Sequence, residues 1–174
     1  MKFEPTPLAG VVLIEPEEVE DPRGWFARVW CADEFARHGL DARFVQSSLS
    51  FNARRHTVRG MHYQIPPSRE AKLVQVTAGR IFDAVADLRE GSTTFRNVFT
   101  VELDARAPRL LYVPPQCAHG FQTLEDATTV LYCFTQAYEP KWSRSMHWRS
   151  PALGIAWPNT TDVVISAADR DAPP

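Results

Sequence analysis

The strongest constraint on the fold of this chain is the way its apolar residues are broken into short segments. Gly10–Pro16, Phe44–Phe51, Lys72–Thr77, Ile81–Leu88, Val98–Leu103, Leu110–Val113 and Thr128–Thr135 each carry the pattern of a β-strand, with Gly and Pro turns between them. Fourteen prolines in 174 residues oppose a helix bundle, because proline lacks the backbone donor that a helix interior needs. Only Ala32–His38 predicts a helix away from the termini. Asp33 lies near its start, Phe35 faces inward and Gly39 closes it. Many short strands and little helix predict an antiparallel sandwich or barrel. The length fits one domain, residues 1–174, able to bury a core.

The strand patterns also predict faces. In Phe44–Phe51 the alternation puts Val45, Ser47 and Leu49 on one side and Gln46, Ser48 and Ser50 on the other, a polar face able to line a cavity. Lys72–Thr77 and Ile81–Leu88 are separated by Ala78-Gly79, which predicts a hairpin, and Asp83 and Asp87 share one face of the second strand. Val130, Tyr132 and Phe134 share a face of Thr128–Thr135. Cys117–Phe121, after Pro114-Pro115, predicts a tight turn carrying His119.

Composition excludes several function classes. The net charge is −2 with no strongly basic stretch, so nucleic-acid binding has no support. No apolar run approaches a membrane span, and the start, MKFEPTPLAG, lacks a signal-peptide pattern. Cys31, Cys117 and Cys133 form neither a CxxC pair nor an even framework, which predicts reduced thiols and a cytoplasmic protein.

The chemistry-bearing residues concentrate in Arg54–Lys72, where His56, His62, Arg59 and Lys72 surround a Gly and a Pro-Pro pair. A neutral imidazole beside cations suits proton transfer on an anionic substrate. Upstream, Asp21–Phe26 presents Arg23 next to Trp25 and Phe26, a set able to clamp phosphate and stack on a base. A metal site has little support, because His62 stands alone where a His-x-His pair with a nearby Glu is the usual pattern, and His119 has no partner beside it. No GxSxG is present. Metal-free acid–base chemistry using His62, Tyr132 and a carboxylate remains, with no cofactor.

In order along nearly the whole chain, the motifs resemble the dTDP-4-dehydrorhamnose 3,5-epimerases. They are Asp21-x-Arg-Gly-x-Phe26, Phe44-Val-Gln46, Arg59-Gly-Met-His-Tyr-Gln64, Lys72-Leu-Val74 and Phe82-Asp-Ala-Val-Ala-Asp87. Then come Tyr112-Val-Pro114, Ala118-His-Gly-Phe121, Tyr132, Tyr138-x-Pro140, Gly154-Ile-Ala-Trp-Pro158 and Ser166-Ala-Ala-Asp169. The resemblance implies an all-β, cupin-type jelly roll with short peripheral helices, acting as a metal-free homodimer on a nucleotide-linked 4-keto-6-deoxy sugar. It implies His62 as general base paired with Asp169, Tyr132 as proton donor and Lys72 as the cation at the carbonyl oxygen. It further implies Arg23, Arg59 and His119 as holders of the nucleotide sugar, Phe26 as a ring near the base, and Gln46 and Tyr138 as substrate contacts.

Four positions depart from that pattern. Arg28 replaces a glutamate that recognises thymine, Ser48 an asparagine, Ser143 a glutamate and Ala168 a lysine. An arginine cannot accept a hydrogen bond from a base N–H. A CDP- or GDP-linked keto sugar is therefore an alternative substrate. A non-catalytic cupin that binds sugar nucleotides is the alternative of another class, and a metal-dependent cupin enzyme the third.

Overall fold

A computed structural model describes residues 1–174. In chain order the strands are β1 (Lys2–Pro5), β2 (Val12–Glu15), β3 (Glu18–Asp21), β4 (Gly24–Ala27), β5 (Gln46–Asn52), β6 (Val58–Gln64) and β7 (Lys72–Ala78). They continue as β8 (Arg80–Asp87), β9 (Val98–Asp104), β10 (Leu110–Val113), β11 (Cys117–Thr123), β12 (Thr128–Phe134) and β13 (Ser143–Ser145). Two short helices, α1 (Ala32–Arg37) and α2 (Ala167–Arg170), lie outside the sheets.

The strands form a six-stranded sheet ordered β1-β2-β10-β7-β12-β5, a five-stranded sheet ordered β13-β6-β11-β8-β9, and the separate hairpin β3-β4. All strand pairings are antiparallel. This is the all-β jelly roll expected. Between the sheets, Val74, Val76 and Val130 meet Ile81, Val85, Leu103 and Phe121 in a cluster of 13 buried residues. Each such side chain contributes about 1.5–3 kcal/mol on burial, against ~0–1 kcal/mol for an exposed ion pair. The sandwich layer therefore dominates stability. Outside the six-stranded sheet, Phe35 of α1 packs on Leu73 and Tyr112. Outside the five-stranded sheet, Trp148 and Trp157 cover Ala84 and Ala86.

Two local expectations fail for a physical reason. Ala78-Gly79 is a corner between sheets, since β7 belongs to one sheet and β8 to the other. Gly79 turns it with φ +76°, and a Cβ there would lie 2.4 Å from Thr128 Oγ1. Val74 and Val76 of β7 meet Ile81 and Val85 of β8 across the core, an apolar contact the strands would lose by pairing side by side. Cys117–Phe121 is likewise no turn; it opens β11, a strand buried along its whole length. The helix ends at Arg37, with His38 as its cap residue.

β11 lies between β6 and β8, and its register with β6 shifts between His119 and Phe121. Gly60 and Gly120 make this close approach possible: a Cβ on Gly60 would stand 2.6 Å from Gly120 Cα. As a result His119 pairs in register with His62.

Candidate active site

A cavity of about 440 Å³ lies between the two sheets. The five-stranded sheet contributes Arg59, His62 and Gln64 from β6, His119 from β11, and Ser143 and Ser145 from β13. The six-stranded sheet contributes Gln46, Ser48 and Ser50 from β5, Lys72 from β7, and Tyr132 and Phe134 from β12. Leu49, Tyr63, Glu70, Tyr138 and the tail residues Ala168 and Asp169 complete the wall. The alternation in β5 holds only in part: Gln46, Ser48 and Ser50 line the cavity as expected, but Leu49, 69% exposed at the sheet edge, also borders it.

His62 Nε2 lies 2.6 Å from Asp169 Oδ1. Ser166 caps the N-terminus of α2 by accepting from the Asp169 N–H, which fixes the acid's backbone, and the Gly60 N–H approaches Asp169 Oδ2 at 3.5 Å. Burial alone would raise the Asp169 carboxyl; the His62 hydrogen bond and charge outweigh it and hold it below its ordinary value. With Nε2–H donated to the carboxylate, Nδ1 is the free base nitrogen.

Lys72 Nζ donates to the His62 carbonyl oxygen at 3.2 Å and lies 3.7 Å from Glu70 Oε1. Burial lowers its affinity for the proton, and the Glu70 charge opposes that. Tyr132 stacks on Phe134 with centroids 5.8 Å apart and meets the His119 ring edge-on at 5.9 Å. Burial, reinforced by the Asp83 charge, keeps its hydroxyl protonated well beyond the ordinary tyrosine range. His119 is fully inside, with Nε2 2.9 and 3.0 Å from the two oxygens of Asp83. Arg59 is steadied by its Nε donating to Asn52 Oδ1 at 2.8 Å.

His62, Asp169, Lys72, Tyr132, Arg59, His119, Gln46, Ser48 and Tyr138 are therefore brought together. Arg23, Phe26 and Arg28 are not. They sit on or beside the β3–β4 hairpin, where Phe26 is 77% exposed, Arg23 pairs with Asp21, and Arg28 Nη1 reaches Glu34 at 3.0 Å. Of the departing positions, Ser48, Ser143 and Ala168 line the cavity. No three His, Cys, Asp or Glu side chains converge as metal ligands would.

Sequence reasoning missed Asp83, Asn52, Gln64 and Glu70 as site residues. Asp83 had a signal, a carboxylate on the same strand face as Val85 within an otherwise apolar run. Asn52 continues the even-numbered polar face of β5. Glu70 lies two residues before Lys72, on the same side of an extended chain.

A carboxylate-paired histidine rises from one sheet, while a buried cation and a protonated tyrosine rise from the other. A jelly roll with this set in its core defines an acid–base enzyme of the cupin type, suited to moving protons on a carbon next to a carbonyl. Residues 5–174 match the family model for dTDP-4-dehydrorhamnose 3,5-epimerase. The chain is 38% identical to the enzyme of that name from Sinorhizobium fredii, over 99% of this chain and 89% of the relative. It superposes on the dTDP-4-dehydrorhamnose 3,5-epimerase of Elizabethkingia anophelis with a TM-score of 0.96 at 34% identity, covering 99% and 95% of the two chains. The dTDP-6-deoxy-D-glucose-3,5-epimerase of Legionella pneumophila, solved with dTDP-4-keto-L-rhamnose, gives 0.92 at 34% identity, covering 99% and 91%. The chain belongs to the dTDP-4-dehydrorhamnose 3,5-epimerase family, whose members are isomerases.

Proposed function

We propose that this protein, as one jelly-roll unit, epimerises a nucleotide-linked 4-keto-6-deoxyhexose, dTDP-4-dehydro-6-deoxyglucose, at C3, C5 or both. The observation that carries this reading is the His62–Asp169 pair facing Lys72 and Tyr132 across one cavity. His62 Nδ1 takes the proton from the carbon next to the C4 ketone, and the C–H electron pair moves to the carbonyl oxygen. The Lys72 ammonium stabilises the resulting enolate, an interaction strongest where water is excluded. Tyr132 returns a proton to the carbon. Base and donor come from opposite sheets, so a sugar ring held between them is deprotonated on one face and reprotonated on the other. Solvent restores the Tyr132 proton and removes that on His62.

Gln46, Ser48, Arg59, His119 and Tyr138 hold the nucleotide sugar in this reading. Arg59 supplies the cation for the diphosphate. The protein works as a homodimer, with the hairpin carrying Arg23, Phe26 and Arg28 reaching the nucleotide bound to a second copy. Exposed Val19 and Phe26 on the hairpin, with Val45, Leu49 and Phe51 on or beside edge strand β5, support this arrangement. A CDP- or GDP-linked sugar is the second reading, favoured by Arg28 where a carboxylate would read thymine.

The test is solvent deuterium incorporation into dTDP-4-keto-6-deoxyglucose, with CDP- and GDP-linked analogues alongside. Label at C3, C5 or both from the dTDP sugar is expected. Label only from another nucleotide moves the substrate, and none from any of them overturns the enzymatic reading.

A further inference from the structure

Lys72 has one anionic partner, and that partner is itself held. Glu70 and Lys72 are two residues apart in an extended segment, so both side chains point into the sandwich. The segment is fixed by the Ala71 N–H donating to Thr135 Oγ1 at 2.8 Å and by the Thr135 N–H donating to the Ala71 carbonyl at 3.1 Å. The Glu70 side chain is 4% exposed, and its Oε2 accepts from Gln64 Nε2 at 2.7 Å. That bond leaves Gln64 Oε1 buried without a partner. A protonated Glu70 could donate to that oxygen with the amide turned over, whereas an ionised Glu70 requires the NH₂ side. Burial raises the Glu70 carboxyl above its ordinary value, and the Lys72 charge and the Gln64 hydrogen bond oppose that in favour of the carboxylate.

We propose that Glu70 is a positioning residue for the proton transfers: its buried carboxylate, clamped by Gln64, keeps the Lys72 ammonium charged and seated in the cavity. This rests on the epimerase reading above.

No other group around Lys72 does this. Opposite it in register, β10 and β12 present Val113 and Phe134. From β6 it meets the His62 carbonyl, and from β11 the Cys117 thiol, which burial pushes up to about 12 and so keeps neutral. The remaining charges of the cavity are committed elsewhere: Asp169 to His62, Asp83 to His119, and Arg59 to Asn52. Burial drives the Lys72 ammonium toward the neutral amine, and Glu70 is the largest opposing influence. A neutral amine cannot balance an enolate charge, so loss of Glu70 costs the reaction its electrostatic stabilisation while leaving base and donor in place.

The chain has three lysines, Lys2, Lys72 and Lys141, so lysine-selective ¹⁵N labelling resolves the Lys72 titration by NMR without reference to activity. In Glu70→Gln the Lys72 midpoint should fall by about 1–3 units. The alkaline limb of deuterium exchange should move with it, and Glu70→Asp should restore part of both. Gln64→Leu, which keeps both charges and removes the clamp, should shift the midpoint the same way by less, and it serves if Glu70→Gln does not fold. An unmoved Lys72 midpoint, or a loss of exchange by one factor at every pH, overturns the proposal. Wild-type protein without exchange on any 4-keto sugar sinks the epimerase reading instead, and the Lys72 titration still decides whether Glu70 holds its charge.

Discussion

His62 Nε2 and Asp169 Oδ1 stand 2.6 Å apart although 107 positions separate the two residues in the chain. The contact joins the middle of β6 to a one-turn helix at the C-terminal end, and it leaves His62 with one free ring nitrogen. If His62 is the base, His62→Ala should reduce exchange by roughly 10²–10⁴-fold, the usual worth of a general base. Binding of dTDP, followed by calorimetry, should change little. Asp169→Asn keeps the shape and removes the charge that orients the imidazole, so it should lower exchange with the fold intact by circular dichroism. Near-normal exchange in both variants would remove the pair from the mechanism.

Tyr132 faces His62 from the other sheet and keeps its proton. Tyr132→Phe should therefore slow inversion more than proton removal, so that label enters faster than epimer forms. Equal loss of both, measured on the same samples by mass spectrometry and NMR, would make Tyr132 structural.

Asp87 marks the acid limit of the fold. Its side chain is fully buried and accepts from Arg89, Ser92 and Thr94. Burial alone would raise its carboxyl, but these bonds win and hold it well below the ordinary value of 3.8. A group with a depressed folded value stabilises the protein above its unfolded value, and that contribution is lost as pH falls through the folded one. Asp87→Asn should thus destabilise the protein at neutral pH, with a difference that shrinks below about pH 4. Urea unfolding at pH 7 and pH 3 checks this; an unchanged difference would show that charge is not what Asp87 contributes.

Leu49 is 69% exposed on β5, an edge strand of the six-stranded sheet. A second copy covering that edge would bury it, and Leu49→Asp should then shift the mass in light scattering from dimer toward monomer. Wild type already monomeric at micromolar concentration would sink the homodimer reading.

Much of this protein follows from local pattern. The period-2 alternation of Phe44–Phe51 and Thr128–Thr135 predicts which side chains face the cavity, because a strand's faces depend only on residue parity. The position of Phe35 in its short helix is equally local. Motif order likewise brings out His62, Lys72, Tyr132 and Asp169, since each sits in a distinctive run of residues. Sheet membership is different. Ala78-Gly79 has the composition of a hairpin but is a corner, because β7 and β8 gain more by facing each other across the core than by sharing hydrogen bonds. Cys117–Phe121 looks like a turn beside Pro114-Pro115, yet a central strand position converts it to β11. Sequence also cannot show that Glu70 and Gln64 close on Lys72, or that Asp83 reaches His119, because those contacts join strands whose pairing is decided by the burial of distant faces. Parity and motif are fixed by neighbours along the chain; partners are fixed by packing across it.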